Sequence, residues 1–197
     1  MTSTTSPGGR TLLSVGATGR DVAALQARLT ALGYWLEDRS GTYGESTMHA
    51  VVAFQKAMGL ERDGVVGPAT RGALPVATRL VARSTSGHVI EIDLRRQLIL
   101  DVWNGRVAWV FDTSTGAVAG TTPIGQWHVF RQVDGYVHSE LGILYRPEYF
   151  HGGVAIHGNP NVPPSPASHG CVRVINAAMD WLWAHNEIPI GTSVWVY

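Results

Sequence analysis

The chain has a single cysteine, no excess of charge and no long apolar run, and each shortage closes off a class of function. Cys171 is the only cysteine among 197 residues, so no internal disulfide can form and cysteine usage does not fix the compartment. Fifteen Lys and Arg cancel fifteen Asp and Glu, which removes the electrostatic footprint of a nucleic-acid binder or a polybasic membrane anchor. A neutral or locally patterned substrate fits instead. No apolar run approaches the roughly 18 residues of a spanning helix. The opening MTSTTSPGGR has no basic stretch followed by an apolar one, so it does not read as a signal peptide. Residues 1–10 are expected to be a flexible leader, with the export signal absent from this chain.

What is present divides the chain in two. With 23 glycines and 10 prolines, part of it must be rich in turns and strands. The first part is helical instead: Val22, Leu25, Leu29 and Leu32 recur at three- and four-residue steps and Gly33 follows as a stop. A second stripe, Thr47, Ala50, Val51, Phe54, Ala57 and Met58, ends at Gly59. The loops before the second and third helices repeat, with Gly41/Gly64, Gly44/Gly67 and Thr47/Thr70 in register and Pro68 suited to a first helical turn. Residues 11–76 therefore read as an internally duplicated three-helix domain, and 77–87 as a linker.

From His88 the period changes to two. Ile90, Ile92 and Leu94, then Leu98, Leu100 and Val102, alternate across Arg95-Arg96 and predict a hairpin. Asn104-Gly105 is a stronger turn signal before a third strand, Val107 to Thr113. Residues 125–133 and 153–156 look extended, 176–184 helical and 192–197 a closing strand. The aromatic-rich insertion from 126 to 150 is expected to cap a cleft, and one of Trp181 and Trp183 to meet the other domain. The fold class is α+β in two domains: a small three-helix bundle, then a mostly β, sandwich-like domain over 88–197 with at least one helix.

Cys171 lies in SPASHGCVRV, and three readings compete for it. A lone cysteine can be a small buried hydrophobe. It can be a zinc ligand with His157, His169 and His151, the basis of a zinc-hydrolase reading. It can be a nucleophile, which needs a base or a positive environment to become thiolate. His157 lies on a segment that reads as a strand end and His169 on the same loop, so position alone allows either as base. Gly158 and Gly170 flank these residues and allow close backbone approach, as an anion-stabilising loop requires.

Ile156-His157-Gly158 followed by Ser168-His169-Gly170-Cys171-Val172-Arg173 resembles the L,D-transpeptidase (YkuD-like) catalytic domain. Ser114-Thr115-Gly116, Thr122-Pro123-Ile124-Gly125 and Tyr145-Arg146-Pro147 extend the resemblance over residues 88–197. Leu25-Gln26, Leu32-Gly33-Tyr34, Phe54-Gln55 and the duplicated loops resemble a three-helix peptidoglycan-binding domain. The resemblance implies an acyltransferase that uses no cofactor and no metal. Cys171 would be the nucleophile, His157 the base oriented by a backbone carbonyl near Gly158, and His169 a supporting residue. The amides of Gly170 and Cys171, helped by Tyr145, would face the oxyanion. Arg173 would hold a substrate carboxylate or brace the loop, and Ser168 would contact substrate or bond within its own turn. Stem peptides of peptidoglycan would be donor and acceptor, with glycan or peptide held by the first domain, outside the cytoplasm in the periplasm or wall. An L,D-carboxypeptidase, in which water resolves the thioester, and a non-catalytic wall-binding module are the alternatives.

Overall fold

Each of the duplicated loops is held by a buried glutamine. In the computed structural model, which describes residues 12–197, Gln26 donates to the Thr42 carbonyl and to Thr47 Oγ1, both at 2.9 Å, and accepts the Gly41 N–H. Gln55 repeats the pattern one loop later, donating to the Val65 carbonyl and Thr70 Oγ1 and accepting the Gly64 N–H. One side-chain amide thereby replaces the backbone pairing that a loop buried against helices would otherwise lack. The expected leader, residues 1–10, lies outside the described residues.

These loops precede α2 (Glu45–Met58) and α3 (Pro68–Ala73), and α1 (Arg20–Ala31) comes first. Val22, Leu25, Leu29 and Leu32 are all buried, each worth about 1.5–3 kcal/mol against exposure. The stripe expected on α2 is too narrow. Ser46, Val52, Ala53, Gln55 and Lys56 are buried as well, while Met58 is exposed, because α2 is the central helix of its unit and is covered on most sides. Tyr34 closes on Phe54 edge to face, with ring centroids 5.6 Å apart.

The chain divides into two compact units at Leu80/Val81. The stretch expected as linker is tied down at both ends. Arg28 donates to the carbonyls of Leu74 and Ala77, and Arg79 to that of Ala31. On the far side, the buried Glu91 carboxylate accepts from the amides of Arg83 and Ser84, the Ser84 hydroxyl and the Tyr197 hydroxyl.

The second unit holds two sheets of five strands. In the first, β1 (His88–Asp93), β2 (Leu98–Trp103) and β3 (Arg106–Asp112) form the expected antiparallel set. Asn104 and Gly105 both adopt positive φ, 49° and 77°, the conformation a two-residue hairpin turn needs. β10 (Ser193–Val196) runs parallel to β1, and β4 (Gly125–His128) pairs with β10 at the edge.

The second sheet has the order β5 (Arg131–Gln132), β7 (Gly142–His151), β8 (Val154–Gly158), β9 (Val172–Val174), with β6 (Tyr136–Ser139) also on β7. Most of the segment expected as a cleft-capping insertion is therefore sheet. α4 (Asn176–Ala184) begins and ends where the sequence places it and packs on β7 and β8. Trp181 meets Trp109 and Phe111, while the Trp183 indole donates to the Arg146 carbonyl, so both tryptophans find partners inside the second unit. Among the described residues no helix is long and apolar enough to cross a membrane.

Candidate active site

β8 and β9 lie side by side in parallel, with His157 opposite Arg173 and Gly158 opposite Val174. Paired residues on neighbouring strands share a face, and alternate residues along one strand do too. Ala155, His157, Arg173 and the preceding Cys171 therefore lie on one face, and Ile156, Gly158, Val172 and Val174 on the other. The second face is buried apolar surface against α4. The first opens into a cavity of about 490 Å³ lined by His157, Ser168, His169, Gly170, Cys171 and Arg173, with the β6–β7 hairpin tip across from them.

Gly158 is required by the buried face. A Cβ there would come 2.7 Å from Tyr145 Cδ1 and 2.8 Å from Asn176 Oδ1. On the open face, His157 Nδ1 lies 2.9 Å from the Gly158 carbonyl. A carbonyl can only accept, so in the neutral ring Nδ1 carries the proton and Nε2 keeps its lone pair. Burial lowers the His157 pKa to about 4; the bond to Gly158 opposes that shift and the charge of Arg173 adds to it. Burial raises the Cys171 thiol, whereas the Ala155 amide and Arg173 pull it down. The sulfur packs beside Leu144, Tyr149 and Ala155 and reaches the Gly153 carbonyl at 3.7 Å. At neutral pH the resting pair is therefore thiol and neutral imidazole, and a base is needed before sulfur can attack.

The loop carrying Cys171 is braced by both upstream motifs. Ser114 and Arg173 exchange backbone hydrogen bonds, Ala167 and Ser168 both donate to the Thr115 carbonyl, and Ser114 Oγ donates to Ser165 O. Thr122 Oγ1 accepts from the Gly116 amide and donates to the Gly170 carbonyl at 2.7 Å. Behind them, the buried Gln97 accepts the Thr115 N–H and donates to Thr115 Oγ1 and the Leu94 carbonyl. Gly170 has φ +144°, and a Cβ there would sit 2.7 Å from the Thr121 carbonyl oxygen, so the turn into Cys171 admits no side chain.

Three expected placements change. The Gly170 amide donates to Ser168 Oγ at 3.0 Å, and that hydroxyl donates on to the Cys171 carbonyl. The Gly170 donor is thus spent inside the turn, with Ser168 as its buried staple. Tyr145 does not line the cavity. It pairs with Gly158 on the buried face and its hydroxyl donates to Asp180 at 2.7 Å, a hydrogen bond that also raises its pKa. Arg173 is no loop brace through its side chain, because its buried Nε has no partner. His169 is exposed on the cavity rim. His151 packs against Trp127, with ring centroids 4.1 Å apart and planes tilted by 59°. Among the described residues, the histidine and acidic groups close enough to share a metal ion do not include His151, His157, His169 or Cys171. Gln97 and Arg131, which stacks on Tyr149 at the cavity wall, belong to the site's surroundings and escaped the sequence reading, while Thr122 was named there only as part of its motif. The S-T-G and T-P-x-G motifs flagged their neighbourhood without naming the bonds.

Comparison with known proteins agrees with this architecture. The peptidoglycan binding domain family matches residues 18–74 and the L,D-transpeptidase catalytic domain family residues 87–196. An L,D-transpeptidase structure from Xylanimonas cellulosilytica is 48% identical, spans 98% of this chain and 100% of its own, and superimposes with a TM-score of 0.91. One from Stackebrandtia nassauensis, 22% identical over 100% of this chain and 97% of its own, shares the fold with a TM-score of 0.56. An N-acetylmuramoyl-L-alanine amidase from Bacillus licheniformis is 45% identical over 75 residues, covering 37% of this chain and 21% of its own. A spore cortex-lytic enzyme from Bacillus subtilis is 50% identical over 60 residues, 30% of this chain and 20% of its own. The chain thus spans about a fifth of the length of these curated relatives. The catalytic-domain match covers more than half of the residues, and the chain belongs to the L,D-transpeptidase (YkuD) family.

Proposed function

We propose that this enzyme uses Cys171 to cut the bond after the third residue of a peptidoglycan tetrapeptide stem and joins that residue to a second stem as a 3→3 cross-link. His157 Nε2 takes the thiol proton as sulfur attacks the carbonyl of the L-configured third residue. The imidazolium then gives that proton to the departing amine, and terminal D-alanine leaves a thioester behind. The side-chain amine of a second stem attacks the thioester, its proton passes to His157, and the thiolate departs. The Gly158 carbonyl holds the imidazolium in place, the part a carboxylate plays in serine triads.

The Cys171 amide is the remaining backbone donor to the oxyanion; such a donor is typically worth about 2.7–4 kcal/mol in the transition state. Arg173, with an unpartnered Nε at the cavity wall, meets a stem carboxylate as a fork and favours the thiolate. The three-helix unit holds the same polymer, and the enzyme acts outside the cytoplasm. His169, exposed on the rim, contacts substrate rather than the thiol.

The observation that carries this reading is the bond from His157 Nδ1 to the Gly158 carbonyl on the face shared with Cys171. Incubation with a carbapenem and measurement of intact mass tests it. The wild type is expected to gain one adduct and Cys171→Ala none. An unchanged wild-type mass, or an equal gain in Cys171→Ala, defeats the covalent reading. Muropeptide analysis then separates cross-linked product from the tripeptide that hydrolysis would leave.

A further inference from the structure

Away from the cavity, the second unit gathers three potential metal ligands whose ligating atoms all lie within 4.8 Å of one another: His88, Asp101 and Glu187. None of them lines the catalytic cavity. Asp101 is fully buried; one carboxylate oxygen lies 2.8 Å from His88 Nε2 and the other has no hydrogen-bond partner. A buried carboxylate oxygen without a partner is costly. The Glu187 carboxylate beside it brings a second acceptor-only group to the same place. A divalent ion would satisfy both carboxylates and take the place of the proton between Nε2 and Oδ1.

The framework around the three side chains is already fixed. His88 faces Trp103 across the β1–β2 pair and stacks on its indole, ring centroids 3.8 Å apart and planes within 9°. Glu187 is anchored just beyond α4 by its amide, which donates to the Leu182 carbonyl, after Asn186 turns through φ 51°. Outer-shell contacts of this kind orient metal ligands.

We propose that His88, Asp101 and Glu187 form a three-ligand site for a divalent transition-metal ion of the zinc class. One imidazole and two carboxylates suit zinc with a fourth position open to water, at ligand distances of about 2.0–2.2 Å. The ion would clamp β1 and β2 to the end of α4, the helix that supports Gly158 from behind. Its role is structural, and it stands independently of the cysteine chemistry.

The test uses the full chain carrying Cys171→Ala, so that no thiolate competes, stripped with EDTA and desalted. Titration with ZnCl₂ is expected to show one ion per chain and a rise in melting temperature. CoCl₂ should give visible ligand-field bands without a thiolate charge-transfer band. In that background His88→Gln and Glu187→Gln, each removing a direct ligand, should weaken zinc binding by more than the roughly 10–100-fold that outer-shell substitutions cost and abolish the thermal shift. Should His88→Gln fail to fold, the half-exposed Glu187→Gln carries the test alone. The proposal is overturned if the Cys171→Ala chain binds no zinc, or if Glu187→Gln binds as tightly as its parent.

Discussion

The loop that Gln55 holds in the first unit and the loop that Gln97 helps hold in the second use the same device to different ends. Both glutamines are buried and read loop backbone through both ends of the side-chain amide. Around Gln55 each of these groups is consumed by another within the loop. Around Cys171 the bracing is just as dense, through Thr122, Ser168, Ser114 and Gln97, yet Arg173 keeps a buried nitrogen unpaired and His157 an imidazole edge not needed for the Gly158 bond. The lesson is that the scaffolding bonds look alike and the unspent groups mark the chemistry. Unsatisfied polarity in a well-braced loop is held at a cost, and it persists where a substrate will supply the partner.

The largest test of that contrast is the imidazole itself. His157→Gln removes the general base while leaving the loop braces intact. Carbapenem acylation should slow by about 10²–10⁴-fold, with the melting temperature close to wild type at pH 7.5. Stopped-flow measurement of adduct formation reads the rate. A wild-type rate would shift the base to His169 and remove the meaning assigned to the Gly158 bond.

The second test concerns a buried polar group that neither the loop nor the cavity explains. Glu148 pairs with Ile156 on the face of β8 turned away from His157; Gln132 donates to one of its oxygens and the other has no partner. Burial raises its pKa to about 8, so between its unfolded value near 4.5 and pH 8 the folded protein binds more protons than the unfolded chain, and stability falls as pH rises through that window. His157 acts oppositely: with a folded value of about 4 against 6.5 unfolded, it costs stability as pH falls from 6.5 towards 4. Glu148→Gln should therefore flatten the alkaline limb of a denaturation-versus-pH profile while leaving the acid limb. The gain above pH 8 is bounded by the 3.5-unit difference at about 5 kcal/mol. An unchanged alkaline limb would show that Glu148 is not buried as a neutral acid.

These cases also show what the sequence could reveal. Helix α4, the Asn104-Gly105 turn and the duplicated loops were legible because periodicity and turn chemistry act locally. The ten residues of β7 were not, since its pairing with β8 shifts register at Tyr145/Glu148 and again at Tyr149/His151, and each bulge breaks the two-residue alternation that announces a strand. The site was legible as a set of residue types. Direction was not: Tyr145 sits near the motif in sequence but faces α4, and the Gly170 amide looks available until Ser168 is seen to hold it. A bond such as Gln97 to Thr115 spans 18 residues between elements, and no local pattern encodes it.

The first loop offers the complementary experiment. Gln55→Ala strips a buried clamp and leaves the Gly64 N–H without its acceptor, a loss of about 3 kcal/mol in the stability of the three-helix unit. Urea denaturation measures it, and the acylation rate should not move. If acylation slowed as much as stability fell, the division between scaffold and chemistry drawn above would be wrong.

The smallest expected effect is the sharpest on that division. Thr122 Oγ1 links the Gly116 amide to the Gly170 carbonyl from inside the Thr122-Pro123-Ile124-Gly125 segment, yet it does not line the cavity. Thr122→Val keeps the shape and removes both hydrogen bonds, costing about 1–3 kcal/mol in the second unit. Because Gly170 fixes the turn that delivers Cys171, acylation should slow a few-fold with its pH dependence unchanged, whereas a group acting on the thiol proton would move that pH dependence. Thr122→Ser, which restores the hydroxyl, should recover the rate. A shifted pH profile in Thr122→Val would make this residue part of the chemistry rather than of its support.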